Sequence, residues 1–486
     1  MDPKYLAKLN EIAATLDYNS ERGYYLEQVL VNYLKNPRID FDIKLEMKKL
    51  VNIDLGETRE QIKNVPSSLG PENLVVSLED YFKHQETMLN YNVEPNFALE
   101  YIRQYLKYDE ILKKKYGLEI SLVIRLVITV ADIAIHKGKE SNIGHEVYEF
   151  KSGEELCDFS FVQIPSQRYI DNFSKCTIFN IQECIERMSD VSAGDLQNAL
   201  RQISISTEVA ESNNVSLLEK PILQIADQTF QILRPSYLLR GLPQRCRILL
   251  KNCERFRETK GKTFEKVALN LLSTIPRSKL YRNIKYSKGK YELDGILNFK
   301  ESSWLIECSS HAPSLSALRG NPKSISNDLE KSIWKCEEQV ERALENIHDP
   351  SILRYAKRDR KGAIIIVDGV YPNLNFRRFW KRLESDVPRY IINYFDLRTM
   401  ISQPECSKFE EFLLWRTQKD MPIVAFDEAE YWAFYFDRYK RNEKVRRICE
   451  KFKKNKSIMM YVSARFNDKR HYRYMAKTGQ ISNPFS

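Results

Sequence analysis

Apolar residues recur every three or four positions through the opening part of the chain. Tyr24, Leu26, Val29, Leu30 and Tyr33 fall on one face at helical spacing, and the segment from Lys44 to Val51 repeats the pattern. Val65–Pro71, with its serines, glycine and prolines, marks a turn or short linker. Leu118 to Ile135 is a longer apolar stretch rich in Val and Ile, so helix and strand pair both remain open there. From Glu146 to Ile164 the pattern changes to short alternating runs, Tyr148–Phe150 and Phe159–Val162, which predict strands. Asp195 to Ile205 returns to helix, with Ser192 or Gly194 as its cap. Pro221, Pro235 and Pro243 then bracket short apolar runs that predict a small strand pair followed by a helix.

The pattern becomes more informative beyond Cys253. Thr263 to Leu272 reads as a helix, with Phe264, Val267, Ala268 and Leu271 on one face and Pro276 beyond its end. Three short strands follow, Leu280–Tyr286, Tyr291–Asn298 and Trp304–Cys308, with Gly289 in the first turn and Lys300–Ser302 in the second. A long helical segment runs from Ser324 to about Asn346. Ala363–Val367 is a continuous apolar run of strand length, the signature of a strand buried on both faces. The predicted order is α-β-β-β-α-β. Tyr390–Phe395 predicts another strand, Phe409–Arg416 an amphipathic helix and Ile423–Phe426 a further short strand.

Three acids stand out against this apolar framework. Glu265 lies on the opening helix, Asp294 inside the second strand and Glu307 at the end of the third. Asp294 and Glu307 are 13 residues apart with the turn roughly midway. A hairpin therefore brings them close to opposite each other on neighbouring strands. Two carboxylates so placed repel unless a cation lies between them, and hard oxygen donors suit Mg²⁺ or Mn²⁺. Such an ion can activate water and offset charge on a scissile phosphate.

On these residues the segment from about Lys260 to Asp368 resembles the PD-(D/E)XK nuclease superfamily. That resemblance implies a restriction-endonuclease-like fold with the same α-β-β-β-α-β order. It implies that Glu265, Asp294 and Glu307 hold the metal, aided by the Cys308 backbone carbonyl. Gln339, in Glu337-Glu338-Gln339-Val340, matches a glutamine found in several branches. Arg319-Gly320, Asp328, Lys331 and Lys335 look like the loop and helix that follow the motif in bacterial members. One position departs: where the family carries its lysine, this chain has Ser309. The lysine orients or deprotonates the attacking water or stabilises charge, and losing a positioned acid–base group costs on the order of 10²–10⁴ in rate. Lys290, Lys331 and Lys335 are candidates to replace it, with Lys331 placed in the catalytic set beside Asp294, Glu307, Ser309 and Gln339. His311 also lies within reach along the chain.

Other chemistries lack support. Gly261-Lys262-Thr263 ends like a phosphate-binding loop, but Phe256 stands where the earlier glycine is needed. No HExxH, GxSxG or GxGxxG occurs, and the 6 histidines are not paired at ligand spacing.

The chain has 486 residues, a length that suggests several domains, and its 43% hydrophobic content is that of a globular protein. Its net charge of +10 is concentrated at one end. Residues 431–486 hold 15 basic and 4 acidic side chains, leaving 61 and 62 for the rest. Within that end, Arg438, Lys440, Arg441, Lys444, Arg446, Arg447, Lys451, Lys453 and Lys454 follow the aromatic block Tyr431–Phe436. Arg465, Lys469, Arg470 and Arg473 lie further on, among tyrosines. Such a region attracts phosphates without reading sequence, and aromatics among the cations can stack on exposed bases. The 9 cysteines are scattered singly, without paired spacing, which predicts reduced thiols and a cytoplasmic protein. No signal peptide opens the chain, and the charges within Leu118–Ile135 argue against a membrane span.

These observations predict a multidomain protein, mainly α at its N-terminus, followed by an α/β restriction-endonuclease-like domain with a mixed central sheet. Its expected segments are a helical region 1–140, a mixed connecting region 141–250, the nuclease-like domain 251–430 and a basic aromatic extension 431–486. The expected activity is Mg²⁺- or Mn²⁺-dependent hydrolysis of phosphodiester bonds, with DNA the favoured substrate. The alternative is a catalytically inactive relative that binds nucleic acid or acts in an assembly. The N-terminal half is expected to serve target recognition, regulation, or contact with a second copy or partner protein.

Overall fold

A computed structural model of the chain describes residues 3–19, 23–52, 95–140, 162–206, 217, 219–318, 321–369, 387–418, 421, 423–424, 427–455 and 459–460. Val65–Pro71, Tyr148–Phe150, Phe159–Phe161, Arg319-Gly320 and the basic residues from Arg465 onward lie outside them. The described residues form two compact units, one drawn mainly from residues up to Phe256 and the other mainly from Arg257 onward.

In the first unit, α1 (Pro3–Tyr18) and α2 (Gly23–Lys35) bury the faces that their apolar spacing predicts. Leu9, Ile12 and Leu16 join Leu26, Val29, Leu30 and Tyr33 in one core. The ambiguous stretch after Leu118 is a helix, α3 (Ile120–Glu140). Val123, Leu126, Val127, Val130 and Ile133 are buried along it at three- and four-residue spacing. Its exposed Arg125 pairs with Asp190 at 2.7 Å, and Asp132 pairs with Arg187. Among the described residues no helix is long and apolar enough to cross a membrane.

Helix α4 (Gln167–Thr177) leads into a small mixed sheet of β1 (Ile178–Asn180), β2 (Ser204–Ile205), β3 (Ile222–Ala226) and β4 (Thr229–Ile232), in the spatial order β1-β4-β3-β2. Between β1 and β2, α5 (Ala193–Ile203) is capped by Ser192, whose hydroxyl accepts the Asp195 N–H. Ile170, Phe173, Ile205 and Leu223 enter the same core as the N-terminal helices.

The second unit contains α6 (Glu254–Leu272), then β5 (Lys279–Tyr286), β6 (Tyr291–Asn298) and β7 (Ser302–Ser309). Helix α7 (Pro322–Leu329) runs through a π-helical turn, Glu330–Trp334, into α8 (Lys335–Glu345). Strands β8 (Arg360–Val367) and β9 (Arg389–Asn393) complete a five-stranded sheet in the order β5-β6-β7-β8-β9. The first three strands are antiparallel, while β7, β8 and β9 run parallel. Buried Ile333, Cys336 and Val340 pack the helical segment against Ala363, Ile365, Val367 and Ile391. The sheet is therefore mixed, and the helix–strand order is the one the pattern predicts.

The strand expected over Tyr390–Phe395 stops at Asn393, because the Asn393 side chain accepts the Asp396 N–H and starts α9 (Tyr394–Ile401). Helices α10 (Phe409–Arg416), α11 (Glu428–Phe434) and α12 (Glu443–Lys454) follow. Tyr431–Phe436 is buried throughout, with Trp432 and Phe412 ring centroids 5.0 Å apart. Arg416 pairs with Glu428 inside this aromatic cluster at 2.8 Å. Of the short strand expected near Ile423, Ile423–Val424 is described and pairs in parallel with Met459–Met460.

Candidate functional site

Strand register brings the first two carboxyls together. Gly295 pairs with Ile306, and continuing that antiparallel count sets Asp294 across from Glu307. Asp294 Oδ2 accepts the Cys308 backbone N–H at 2.8 Å, tying the acid of β6 to the end of β7. On β5 the pairing passes from Arg282↔Gly295 to Ile284↔Leu293, and the residue between, Asn283, has φ +53°. The ladder is thus interrupted beside Asp294 by a left-handed residue, a conformation asparagine tolerates better than most.

Gly295 governs how closely its neighbours approach. A Cβ there would lie 2.9 Å from the Tyr281 carbonyl oxygen and 3.4 Å from Leu269 Cδ2 on α6. Its absence lets α6 settle on the hairpin, and Glu265 stands one helical turn before Leu269 on that helix.

Glu307 is only 2% exposed, and its Oε1 has no hydrogen-bond partner. Its neighbours explain this. Cys308 and Cys336 are thiols whose own pKa values are pushed up, first by burial and then by the two carboxylates, so they offer little to an anion. Burial raises Glu307 well above the usual carboxyl range, and Asp294 and then Glu265 push it the same way. The Asp294 backbone N–H and Lys335 act against that rise. Asp294 is pushed up to about 7, first by burial and next by Glu265. Burial also raises Glu265, followed by Glu292, with Lys262 and Arg282 opposing. The three carboxyls therefore sense one another's charge. Among the described residues, however, no three His, Cys, Asp or Glu side chains gather closely enough to hold a metal ion. Glu265 adds its negative charge to that of the pair.

The remaining residues of the expected catalytic set lie along β7 and the helix facing it. Ser309 is buried, and its Oγ accepts the His311 backbone N–H at 3.3 Å. His311 Nε2 lies 2.8 Å from Asp328 Oδ1. Asp328 Oδ2 accepts both the N–H and the hydroxyl of Ser314, at 2.8 and 2.7 Å. Burial works to raise Asp328, but the His311 and Ser314 hydrogen bonds outweigh it and hold the carboxyl below its usual range. The sequence singles out Asp328 and His311 separately, but it does not show that they form a pair. Lys331 is exposed on the π-helical turn, and Lys335 is the lysine whose charge acts on Glu307. Gln339 is half-buried one turn further along α8. Lys290 lies at the far hairpin end, 5.1 Å from the centre of the Tyr291 ring.

The basic residues separate by role. Lys440 pairs with Glu411 at 2.6 Å, and Arg441 lies 4.0 Å from Glu405. Arg446 donates to the Tyr439 and Lys440 carbonyls, while Arg447 pairs with Glu443 on its own helix at 2.5 Å. Arg438, Lys444, Lys451 and Lys454 are exposed, and Lys453 is half-buried. Lys444, Arg447, Lys451 and Lys454 recur at three- and four-residue spacing along α12, forming one basic stripe ~15 Å long. No family model, curated protein or solved structure matches the chain.

Proposed function

We propose that the second unit is a PD-(D/E)XK-like domain that hydrolyses phosphodiester bonds, in DNA in the first instance, with Mg²⁺ or Mn²⁺. The observation that carries this reading is the unpartnered Oε1 of buried Glu307 beside Asp294. A buried carboxylate oxygen without a donor is costly, and a cation or a proton removes that cost. The donor set fits the smaller ion: Mg²⁺ is commonly held by one or two carboxylates, with water and phosphate oxygens filling the other positions. Asp294 and Glu307 would hold it, with the Cys308 carbonyl nearby and Glu265 raising the negative potential around them. When bound, the ion supplies charge neutralisation at the phosphate and acidifies water. The protein's own part is to keep the two carboxyls opposed through the β6–β7 register and to exclude water around Glu307. Lys335 brings positive charge to the same carboxyl.

The sequence order, the mixed sheet and the acid pair support the nuclease reading. Ser309 favours the alternative, a nuclease fold that binds nucleic acid without cutting it, because its hydroxyl carries no charge and is engaged with His311. Plasmid nicking by the full chain in Mn²⁺ tests the two. Cleavage that falls by at least about 100-fold in Asp294→Ala and Glu307→Ala, with DNA retention unchanged, is the expected result. Retention of plasmid without nicking by the wild-type protein would establish the alternative. A rise in thermal midpoint on adding Mn²⁺, lost in both variants, reports the ion independently of turnover.

A further inference from the structure

We propose that the β5 edge of the sheet is a binding face for single-stranded nucleic acid, built from Tyr281, Tyr291 and Tyr355 and the lysines and arginines held over them. The inference goes beyond the nuclease reading: it assigns a binding site that stands whether or not the carboxyl pair cuts. The three rings are half-buried, and all pack on one core cluster with Ile284, Leu293 and Ile352. Tyr281 and Tyr355 touch, with ring centroids 4.8 Å apart. Tyr281 and Ile284 are three residues apart, a spacing that sends the side chains of a regular strand to opposite faces. Left-handed Asn283 lies between them and breaks the alternation, which brings both onto the same cluster.

Each ring carries a cation. Lys279 Nζ lies 5.0 Å from the centre of Tyr281, and Arg354 Cζ 5.6 Å from that of Tyr355. Tyr291 has two, with Lys290 Nζ at 5.1 Å and Arg342 Cζ at 4.7 Å. A ring holds a cation in place without cancelling its charge. Among the described residues none of these four cations pairs with a carboxylate. The segment Lys279–Tyr291 adds Lys285 and Lys288, both exposed, and contains no acid. Of the acids alongside, Glu292 stands across the ladder from Lys285, Glu345 ends α8, and Asp349 is engaged by the Ser287 and Ser351 N–H groups. Edge strands often carry lysines that deter pairing with another sheet. That accounts for the lysines of β5. It does not account for Arg342, which reaches Tyr291 from α8, or for Arg354, which follows the short helix Pro350–Leu353.

The dimensions select the partner. Tyr286 pairs with Tyr291 and lies five residues from Tyr281 along β5, so the face runs about 17 Å along the edge. A lone phosphate engages one of these cations, whereas a row of that length matches about five phosphates at the spacing of one nucleic-acid strand. Rings half open to solvent, with arginines beside them, can stack on unpaired bases, which a duplex keeps inside its own stack. At the hairpin end the face meets Tyr286, which feels the charge of both Arg342 and Glu307. That end borders the carboxyl pair.

Fluorescence anisotropy of the full chain with a labelled oligothymidylate tests the face, in EDTA so that no metal and no cleavage enter. Wild type is expected to bind, and replacing Lys279, Lys285, Lys290 and Arg354 by Gln should reduce the slope of log K against log salt by up to about 2.8. Tyr281→Leu and Tyr291→Leu, which keep apolar packing, should each weaken binding about tenfold on the single strand and by less than about twofold on a duplex of equal length. Thermal midpoints check folding, and the charge variant, confined to exposed side chains, carries the test if a tyrosine variant does not fold. Absence of wild-type binding at low salt, or an unchanged slope in the charge variant, would overturn the assignment. So would a loss in folded tyrosine variants no greater on the single strand than on the duplex. Displacement by polyglutamate as readily as by unlabelled oligothymidylate would assign the face to acidic protein instead. None of these outcomes depends on plasmid nicking, which tests the carboxyl pair separately.

Discussion

Asp294 and Glu307 form a pair whose charge is opposed by burial, and this gives the site a pH dependence of definite sign. The Asp294 pKa is raised from 3.8 to about 7, so the folded state favours the protonated carboxyl more strongly than the unfolded state does. Its contribution to stability is therefore complete below about 4 and is lost as pH rises through about 7. The metal-free protein should lose thermal stability across that window, and Asp294→Asn should flatten the dependence. Divalent cations need the carboxylate, so the stabilisation given by Mn²⁺ should grow over the same range. Scanning calorimetry at several pH values checks both; an identical slope in wild type and Asp294→Asn would show that another group governs it. The pairing was legible in the sequence because a separation of 13 residues with a central turn fixes a hairpin register. The unpartnered oxygen was not, since it depends on Cys308 and Cys336, from two different elements, offering no strong donor to Glu307 Oε1. The Asp328–His311 pair was hidden for the same reason: 17 residues and a loop separate its members, and only folding joins them.

Strands and helices were easier to read than their junctions. Ala363–Val367 announces a buried strand by composition alone, and all of β8 from Ala363 is inaccessible to solvent. The long helix after Ser324 was legible from its spacing, but not its π-helical turn at Glu330–Trp334, because one widened turn leaves little trace in a three- and four-residue repeat. Tyr394 and Phe395 read as strand because their apolar run continues that of β9; the cap formed by Asn393 decides otherwise. Close packing in the sheet gives a direct test. A Cβ on Gly362 would fall 2.5 Å from the Trp304 ring, and Trp304 is fully buried, with its Nε1–H donated to Ser302 Oγ at 2.8 Å. Neither partner can yield without breaking packing or that bond, so Gly362→Ala should cost about 1–3 kcal/mol. Urea denaturation measures it, and a loss below about 0.5 kcal/mol would mean the ring has room to move.

Across the whole chain the excess charge is almost confined to residues 431–486, while the rest is close to neutral. Part of that positive charge is already paired with the protein's own groups, Glu411 and Glu443 and backbone carbonyls. Among the described residues, what faces water is the stripe Lys444, Arg447, Lys451 and Lys454 on α12, with Arg438 and Arg441 nearby in sequence. A stripe about 15 Å long can meet phosphates along one strand, and it does so without reading bases. Each cation that neutralises a phosphate releases counterions and adds about 0.9 to the slope of log K against log salt on duplex DNA. Replacing Lys444, Lys451 and Lys454 by Gln should therefore weaken DNA retention and reduce that slope by up to about 2.7, alike on unrelated sequences. Arg447→Gln should have a smaller effect, since Glu443 already offsets its charge. The substitutions lie on an exposed face and should leave the thermal midpoint nearly unchanged, so a salt titration by fluorescence anisotropy reads binding alone. An unaltered slope in the triple variant would place the polyanion contact elsewhere on the protein and leave α12 as a solvated helix.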